Sequence, residues 1–156
     1  MIVIVMKQNS IFLLILLILL TSKLHADENI KFLSLKNKEV NLRQGPSFEY
    51  PVKLIYKKKY LPVVIIDRSE TWRKIRDFKN NSGWIHISQL TNKKTAINMK
   101  NNSIIYKKST IYSKPIAKLE LGRLLIIKKC KEKWCKVQTQ NFKGWMLKKY
   151  LWGKTK

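Results

Sequence analysis

Leu61–Leu90 reads LPVVIIDRSETWRKIRDFKNNSGWIHISQL, and Arg123–Leu151 reads RLLIIKKCKEKWCKVQTQNFKGWMLKKYL. The two stretches carry the same features in the same order. Each has an apolar run, a charged turn, a run opened by tryptophan, then Gly-Trp and a closing leucine. Trp72 and Trp134 stand 62 residues apart, and Gly83-Trp84 and Gly144-Trp145 follow them at matching intervals. Upstream, PVKLIY at Pro51–Tyr56 parallels PIAKLEL at Pro115–Leu121. Self-similarity at one fixed period is the mark of a duplicated structural unit.

The unit is all-β. Helical periodicity is nearly absent after residue 30. Short runs rich in Val, Ile, Tyr and Trp alternate with polar turns every eight to twelve residues, as in small sandwiches and barrels. In the first copy the runs predict strands at Val40–Arg43, Val52–Tyr56, Leu61–Asp67, Trp72–Phe78 and Gly83–Ile87. Turns are predicted at Gly45–Ser47, Asp67–Glu70 and Lys79–Gly83. Trp72–Phe78 alternates with period two, which sets Trp72, Lys74, Arg76 and Phe78 on one face and Arg73, Ile75 and Asp77 on the other. Asn92–Asn102 reads as a polar connection with room for a short strand at Thr95–Asn98.

The N-terminal 26 residues belong to no fold. Ile11–Leu20 (IFLLILLILL) is too short to span a hydrocarbon core of roughly 30 Å as a helix. It suits the apolar segment of a signal peptide, with Lys7 before it and Leu24-His25-Ala26 as the cleavage site. Met6 opens a more conventional signal than Met1 does. An uncleaved anchor is the other reading of this segment. Cleavage after Ala26 predicts an exported chain of 130 residues with no further membrane span. That is room for one ordinary domain or two very small ones.

The net charge of +24 attracts polyanions. The lysines run through the whole chain, so the charge reads first as bias in composition. Anionic envelope polymers are a minority partner, and export argues against nucleic acid. Cys130 and Cys135 are the two cysteines, and in an exported chain such a pair is expected as a disulfide pinning a hairpin. A zinc knuckle needs a closer spacing and a second ligand pair. Catalysis fails by inventory. His86 is the one histidine left after cleavage, both thiols are spoken for, and nine acids are scattered over a cationic chain. No enzyme, metal or cofactor is expected.

The segments EVNLRQGPSFEYPV, LPVVII, TWRKIR and GWIHISQL resemble the bacterial SH3-like domain. The likeness rests on Asn-x-Arg-x-Gly-Pro-Ser at Asn41–Ser47, Tyr50-Pro51, Trp-x-Lys-Ile at Trp72–Ile75, and Gly83-Trp84-Ile85 with Leu90. The second copy, ending CKEKWCKVQTQNFKGWMLKKYLWG, is similar to the second module of exported proteobacterial proteins with two such domains. There a C…W-C pair and a terminal Leu-Trp-Gly recur. The resemblance covers residues 37–153 and implies two tandem small barrels, at 37–91 and 103–153, joined by 92–102. It departs at Tyr106–Pro115, where YKKSTIYSKP has no Gly-Pro. A ligand site carried by the opening loop of the first copy is therefore expected to be missing from the second.

The resemblance implies a periplasmic or cell-envelope module that binds peptidoglycan or a peptide or protein partner. A cationic adaptor held at the envelope by charge and protein contacts is the alternative. The ligand-binding candidates are Arg43, Tyr50, Trp72, Arg76, Trp84 and His86. Arg43 and Arg76 offer guanidinium forks for carboxylates. Tyr50, Trp72 and Trp84 offer the aromatic lining that SH3-type folds use for extended ligands. Each also has a plainer expectation: most of the tryptophans are core or barrel-lid residues, the Gly45–Ser47 turn is structural, and His86 is an ordinary hydrogen-bonded side chain.

Overall fold

The computed structural model describes residues 30–155; the leader expected at 1–26 lies outside them. The first sheet comprises β1 (Lys31–Leu35), β2 (Val40–Arg43), β3 (Val52–Tyr56), β4 (Pro62–Ser69), β5 (Trp72–Arg76), β6 (Ser82–His86) and β7 (Leu90–Thr91). The second comprises β8 (Thr95–Asn98), β9 (Ser103–Tyr106), β10 (Pro115–Leu119), β11 (Leu124–Lys131), β12 (Trp134–Gln138), β13 (Lys143–Leu147) and β14 (Leu151–Gly153). Their strand orders are the same, β3-β2-β6-β5-β4-β1-β7 and β10-β9-β13-β12-β11-β8-β14. Every pairing is antiparallel. The chain is thus two tandem small β-barrels.

Boundaries differ from the expectation at both junctions. The first sheet begins at Lys31, ahead of residue 37, because KFLSL pairs with β4. The span 92–102 holds β8, which is a full member of the second sheet and pairs with β11 and β14. The connection shrinks to Asn92–Lys94.

Local chemistry moves two strand ends. β4 runs to Ser69 and β5 opens at Trp72, so Glu70 and Thr71 alone make the turn, not the expected DRSE. Glu70 takes a φ of 45° there, and Glu132 a φ of 33° at the same place in the second barrel. Two-residue loops with a left-handed residue match the twist of the strands they join. β5 stops at Arg76 because the Asp77 carboxylate, 3% exposed, takes over the following backbone. It accepts from the backbone N–H of Lys79 and Asn81 and from the Asn81 amide, while the Tyr56 hydroxyl donates to it at 3.1 Å. Burial first, and the Asp77 charge second, push the Tyr56 hydroxyl well above its ordinary tyrosine value.

Leucine, isoleucine and valine fill the barrels, not tryptophan. Leu35, Leu42, Val63, Ile75 and Ile85 are fully enclosed in the first, and Ile105, Leu125, Val137 and Met146 in the second. Each such side chain contributes about 1.5–3 kcal/mol. Of the five tryptophans only Trp72 is buried. The glycine before each Gly-Trp tryptophan permits barrel closure. A β-carbon on Gly83 would lie 2.6 Å from the Arg43 carbonyl, and one on Gly144 would lie 2.5 Å from the Tyr106 carbonyl.

The barrels share a packed junction. Ile97 of β8, fully buried, belongs to the core of the first barrel, and Leu124 packs against the same core. Ser34 Oγ lies 2.6 Å from Thr95 Oγ1, and these hydroxyls donate to the Lys93 and Tyr60 carbonyls at 2.8 Å. Trp152 stands edge-on to Phe32, with ring centroids 5.0 Å apart, and reaches Phe78 at 6.4 Å. The terminal Leu-Trp-Gly is therefore part of the junction. A disulfide joins Cys130 and Cys135, which face each other across β11 and β12.

Two outcomes are expected. Folded, oxidised protein titrates with no free thiol, and replacing both cysteines by serine lowers stability by about 2 kcal/mol in denaturant unfolding. Tyr56→Phe costs about 1 kcal/mol at neutral pH. A raised folded value means that stability is kept below the unfolded tyrosine value near 10 and lost as pH climbs beyond it. Unfolding curves should therefore fall less steeply above about pH 10 in Tyr56→Phe than in the parent.

Candidate functional site

Residues directly opposite one another in antiparallel strands project from the same face. On the first barrel this places Trp72 beside His86, Lys74 beside Trp84, Arg43 beside Trp84, and Arg76 beside Ser82. These side chains form successive rows across β2, β6 and β5 on the outer surface, opposite the face that carries Ile75 and Ile85 into the core. Arg43, Trp72, Trp84 and His86 are brought together, while Arg76 lies one row farther along.

Tyr50 reaches the site through the loop between β2 and β3. Its ring packs over Gly45, where a β-carbon would come within 2.6 Å of it. The loop is tied down by Arg43, whose Nη1 donates to the Phe48 carbonyl at 3.0 Å and the Tyr50 carbonyl at 2.7 Å. Ser47 Oγ accepts from the Glu49 N–H, and the Ser47 carbonyl accepts from the Tyr50 N–H. The turn thus presents Phe48 over the sheet. Its ring centroid sits 4.9 Å from Trp72 and 5.6 Å from His86, with the Arg43 guanidinium 5.6 Å from its own centre.

Phe48 is the residue that sequence reasoning missed. It is 65% exposed, yet it covers Trp72, which is 6% exposed. An aromatic inside a turn-forming loop gives no periodic signal, so only the fold reveals its partner. Arg43 is committed to two carbonyls, which makes it a support for this loop. His86 accepts from the Ser88 N–H through Nδ1, 2.7 Å from Ser88 Oγ, and caps a short 3-10 turn at Ile87–Gln89. Beside Trp84, Gln44, Lys53, Lys74, Ser82 and Gly83 line an open groove of about 500 Å³. Lys53 donates to the Ser82 carbonyl across it at 3.0 Å.

The second barrel repeats the scaffold with other side chains. Trp134 faces Leu147 and Lys136 faces Trp145, which in turn faces Tyr106. Its β9–β10 loop reproduces the turn of the first copy without Gly-Pro. Thr110 Oγ1 accepts from the Tyr112 N–H, and the Thr110 carbonyl from the Ser113 N–H. Ile111 occupies the place of Phe48, and Tyr106 instead packs edge-on against Trp134 at 5.8 Å. The loop shape survives while the aromatic lid is lost. Among the described residues, no three His, Cys, Asp or Glu side chains gather as a metal site. No helix there is long and apolar enough to cross a membrane.

One family comparison agrees with the two tandem barrels. The family model described as bacterial SH3 domain matches twice, at residues 36–92 and 100–153. None of the curated proteins matches the chain. Similar solved structures include NlpC2 and NlpC1 of Trichomonas vaginalis, at 13% and 12% identity and a TM-score of 0.37 each. Each comparison covers 83% of this chain, which spans only about half of the other, at 50% and 48%. Two matches to one family model, one on each barrel, account for most of the chain, and the protein belongs to the bacterial SH3 domain family.

Proposed function

We propose that the chain is a non-enzymatic binding module of the cell envelope, exported by its leader, that recognises peptidoglycan or a periplasmic peptide through the first barrel. The observation that carries the reading is the aromatic surface built by Phe48, Trp72, Trp84 and His86 over β5 and β6, held by Arg43. An extended ligand laid on such a surface gains contact area from rigid rings that have little side-chain freedom to lose. Arg76 and Lys74, on the same face, supply positive charge for the carboxylates of an acidic peptide. Among the described residues the one histidine, His86, faces Trp72 and caps its own turn, which suits it to support the aromatic surface. The Cys130–Cys135 disulfide is consistent with an oxidising compartment.

The test is retention of the protein on purified, protein-free sacculi. At physiological salt the parent is expected to sediment with the wall, and Trp84→Ala to lose about tenfold in affinity, as loss of a central aromatic does at interfaces. Circular dichroism must show that the variant is folded. No retention of the parent removes the wall-binding reading. Retention that Trp84→Ala leaves unchanged and salt abolishes would favour the adaptor held by charge.

A further inference from the structure

The two barrels present the same rows of the same face with different charges. In the first barrel one row runs Asp67, Lys74, Trp84, Arg43, and the next runs Ser69, Trp72, His86. In the second the matching rows run Lys129, Lys136, Trp145, Tyr106 and Lys131, Trp134, Leu147. Lysine thus stands where the first barrel has Asp67 and Ser69. The ammonium groups of Lys129, Lys131 and Lys136 lie 5.8, 6.0 and 6.0 Å from the centre of the one Trp145 ring.

The surroundings do not neutralise this cluster. From residue 92 onward the chain has two acids, Glu120 and Glu132, against 18 of its 33 Lys and Arg residues. The positive charge is therefore concentrated on the second barrel, contrary to the even spread suggested by the whole sequence. Three like charges around one ring repel each other, and a multiply charged anion placed among them relieves that repulsion. The remainder of the face is apolar, with Trp134, Tyr106 and Leu147 alongside half-buried Trp145.

We propose that this face is a second binding site, for an acidic saccharide: Trp145 stacks a sugar ring, and Lys129, Lys131 and Lys136 take its carboxylates or phosphates. Lys129 and Lys136 face each other on neighbouring strands about 4.8 Å apart, so both ammoniums reach the same side of one ligand. Lysine ammoniums act as mobile point charges, which suits anions spaced along a polymer better than one rigid carboxylate fork. The site does not depend on the reading of the first barrel, whose aromatic face lacks the lysine triad.

Isothermal titration of the full chain with tetragalacturonate, at low and at physiological salt, tests this. Cellotetraose serves as the uncharged control, and mixed phosphatidylglycerol–phosphatidylcholine vesicles as the lipid control. The double variant Lys129→Asp with Lys131→Ser copies the first barrel at those two exposed positions, where the same fold already accepts those residues. It is expected to weaken tetragalacturonate binding by about tenfold or more. Lys107→Asp with Lys108→Ser, an equal charge change elsewhere on the second barrel, should leave it within about twofold. The Trp145 indole N–H resonance should shift on binding, and cellotetraose should give no heat. Any of four results overturns the proposal: no saturable tetragalacturonate binding at low salt, equal losses in both double variants, equal affinity for cellotetraose, or tighter binding to the vesicles that needs the same two lysines. Sacculus retention is read on Trp84→Ala in the first barrel, so the two proposals fail separately.

Discussion

Each barrel closes where its second strand crosses its sixth at a distance no β-carbon would allow. Gly83 faces the Arg43 carbonyl there, and Gly144 faces the Tyr106 carbonyl. The two strands touch at one residue pair in each barrel, Arg43 with Trp84 and Tyr106 with Trp145. With glycine turned to the interior, the tryptophan that follows must project outward. Closure and the exposed aromatic are thus two consequences of one dipeptide. The crossing also aims the loop after β2 back across the face, which is why Phe48 can cover Trp72 and why Arg43 lies in reach of the carbonyls at Phe48 and Tyr50.

The same constraint explains why the copies could diverge in surface and not in frame. Leu35 N–H bonds the Leu61 carbonyl in the first barrel, and Asn98 N–H bonds the Arg123 carbonyl in the second. Lys36 N–H pairs with Gln89 as Met99 N–H pairs with Tyr150. These backbone bonds depend on chain path and tolerate exchange of outward side chains. Arg68 and Arg73, opposed across the first hairpin, are answered by Cys130 and Cys135 in the second, where Cys135 is fully buried, so the staple adds to the second core on a shared ladder. Lys129 in place of Asp67 is an exchange on the outward side.

Much of this was legible in the residues. β2 and β3 fall where alternating apolar and polar residues put them, and the period-two alternation of Trp72–Phe78 groups Ile75 and Asp77 on one face, which the fold turns inward, where both are buried. The same alternation groups Trp72, Lys74 and Arg76 on the other face, and it is the fold that turns this face outward. What it missed depends on partners distant in sequence. KFLSL lies ahead of the first residues that resemble the family and becomes β1 by pairing with β4. Thr95–Asn98 reads only as a short strand within a polar connection, and it becomes a full member of the second sheet because its polar side chains are satisfied internally: Asn98, fully buried, donates to the Lys100 and Glu120 carbonyls. Tryptophan is large enough to suggest a core, yet these cores are filled by aliphatics and four of the five tryptophans stay half-exposed. The β9–β10 loop shows the reverse error. The lack of Gly-Pro predicts a different loop here, but Thr110 builds the same bonds as Ser47, so the hydroxyl is the shared element.

The junction makes the pair one physical object. Three residues separate β7 from β8, too few to let the barrels tumble independently. Ile97 and Leu124 extend the first core into the second sheet, and Trp152, at the far end of the chain, returns to lie against Phe32 and Phe78. Gly153 is required for that return, since with a φ of 147° a β-carbon would fall 2.3 Å from the Thr95 carbonyl. The terminal strand therefore closes the second barrel and seals the junction together. Loosening either barrel exposes apolar surface of the other, which couples their stability. It also fixes the distance between the aromatic face of the first barrel and the cationic face of the second. A ligand long enough to touch both meets two preset surfaces and gives up no linker freedom when the second contact forms.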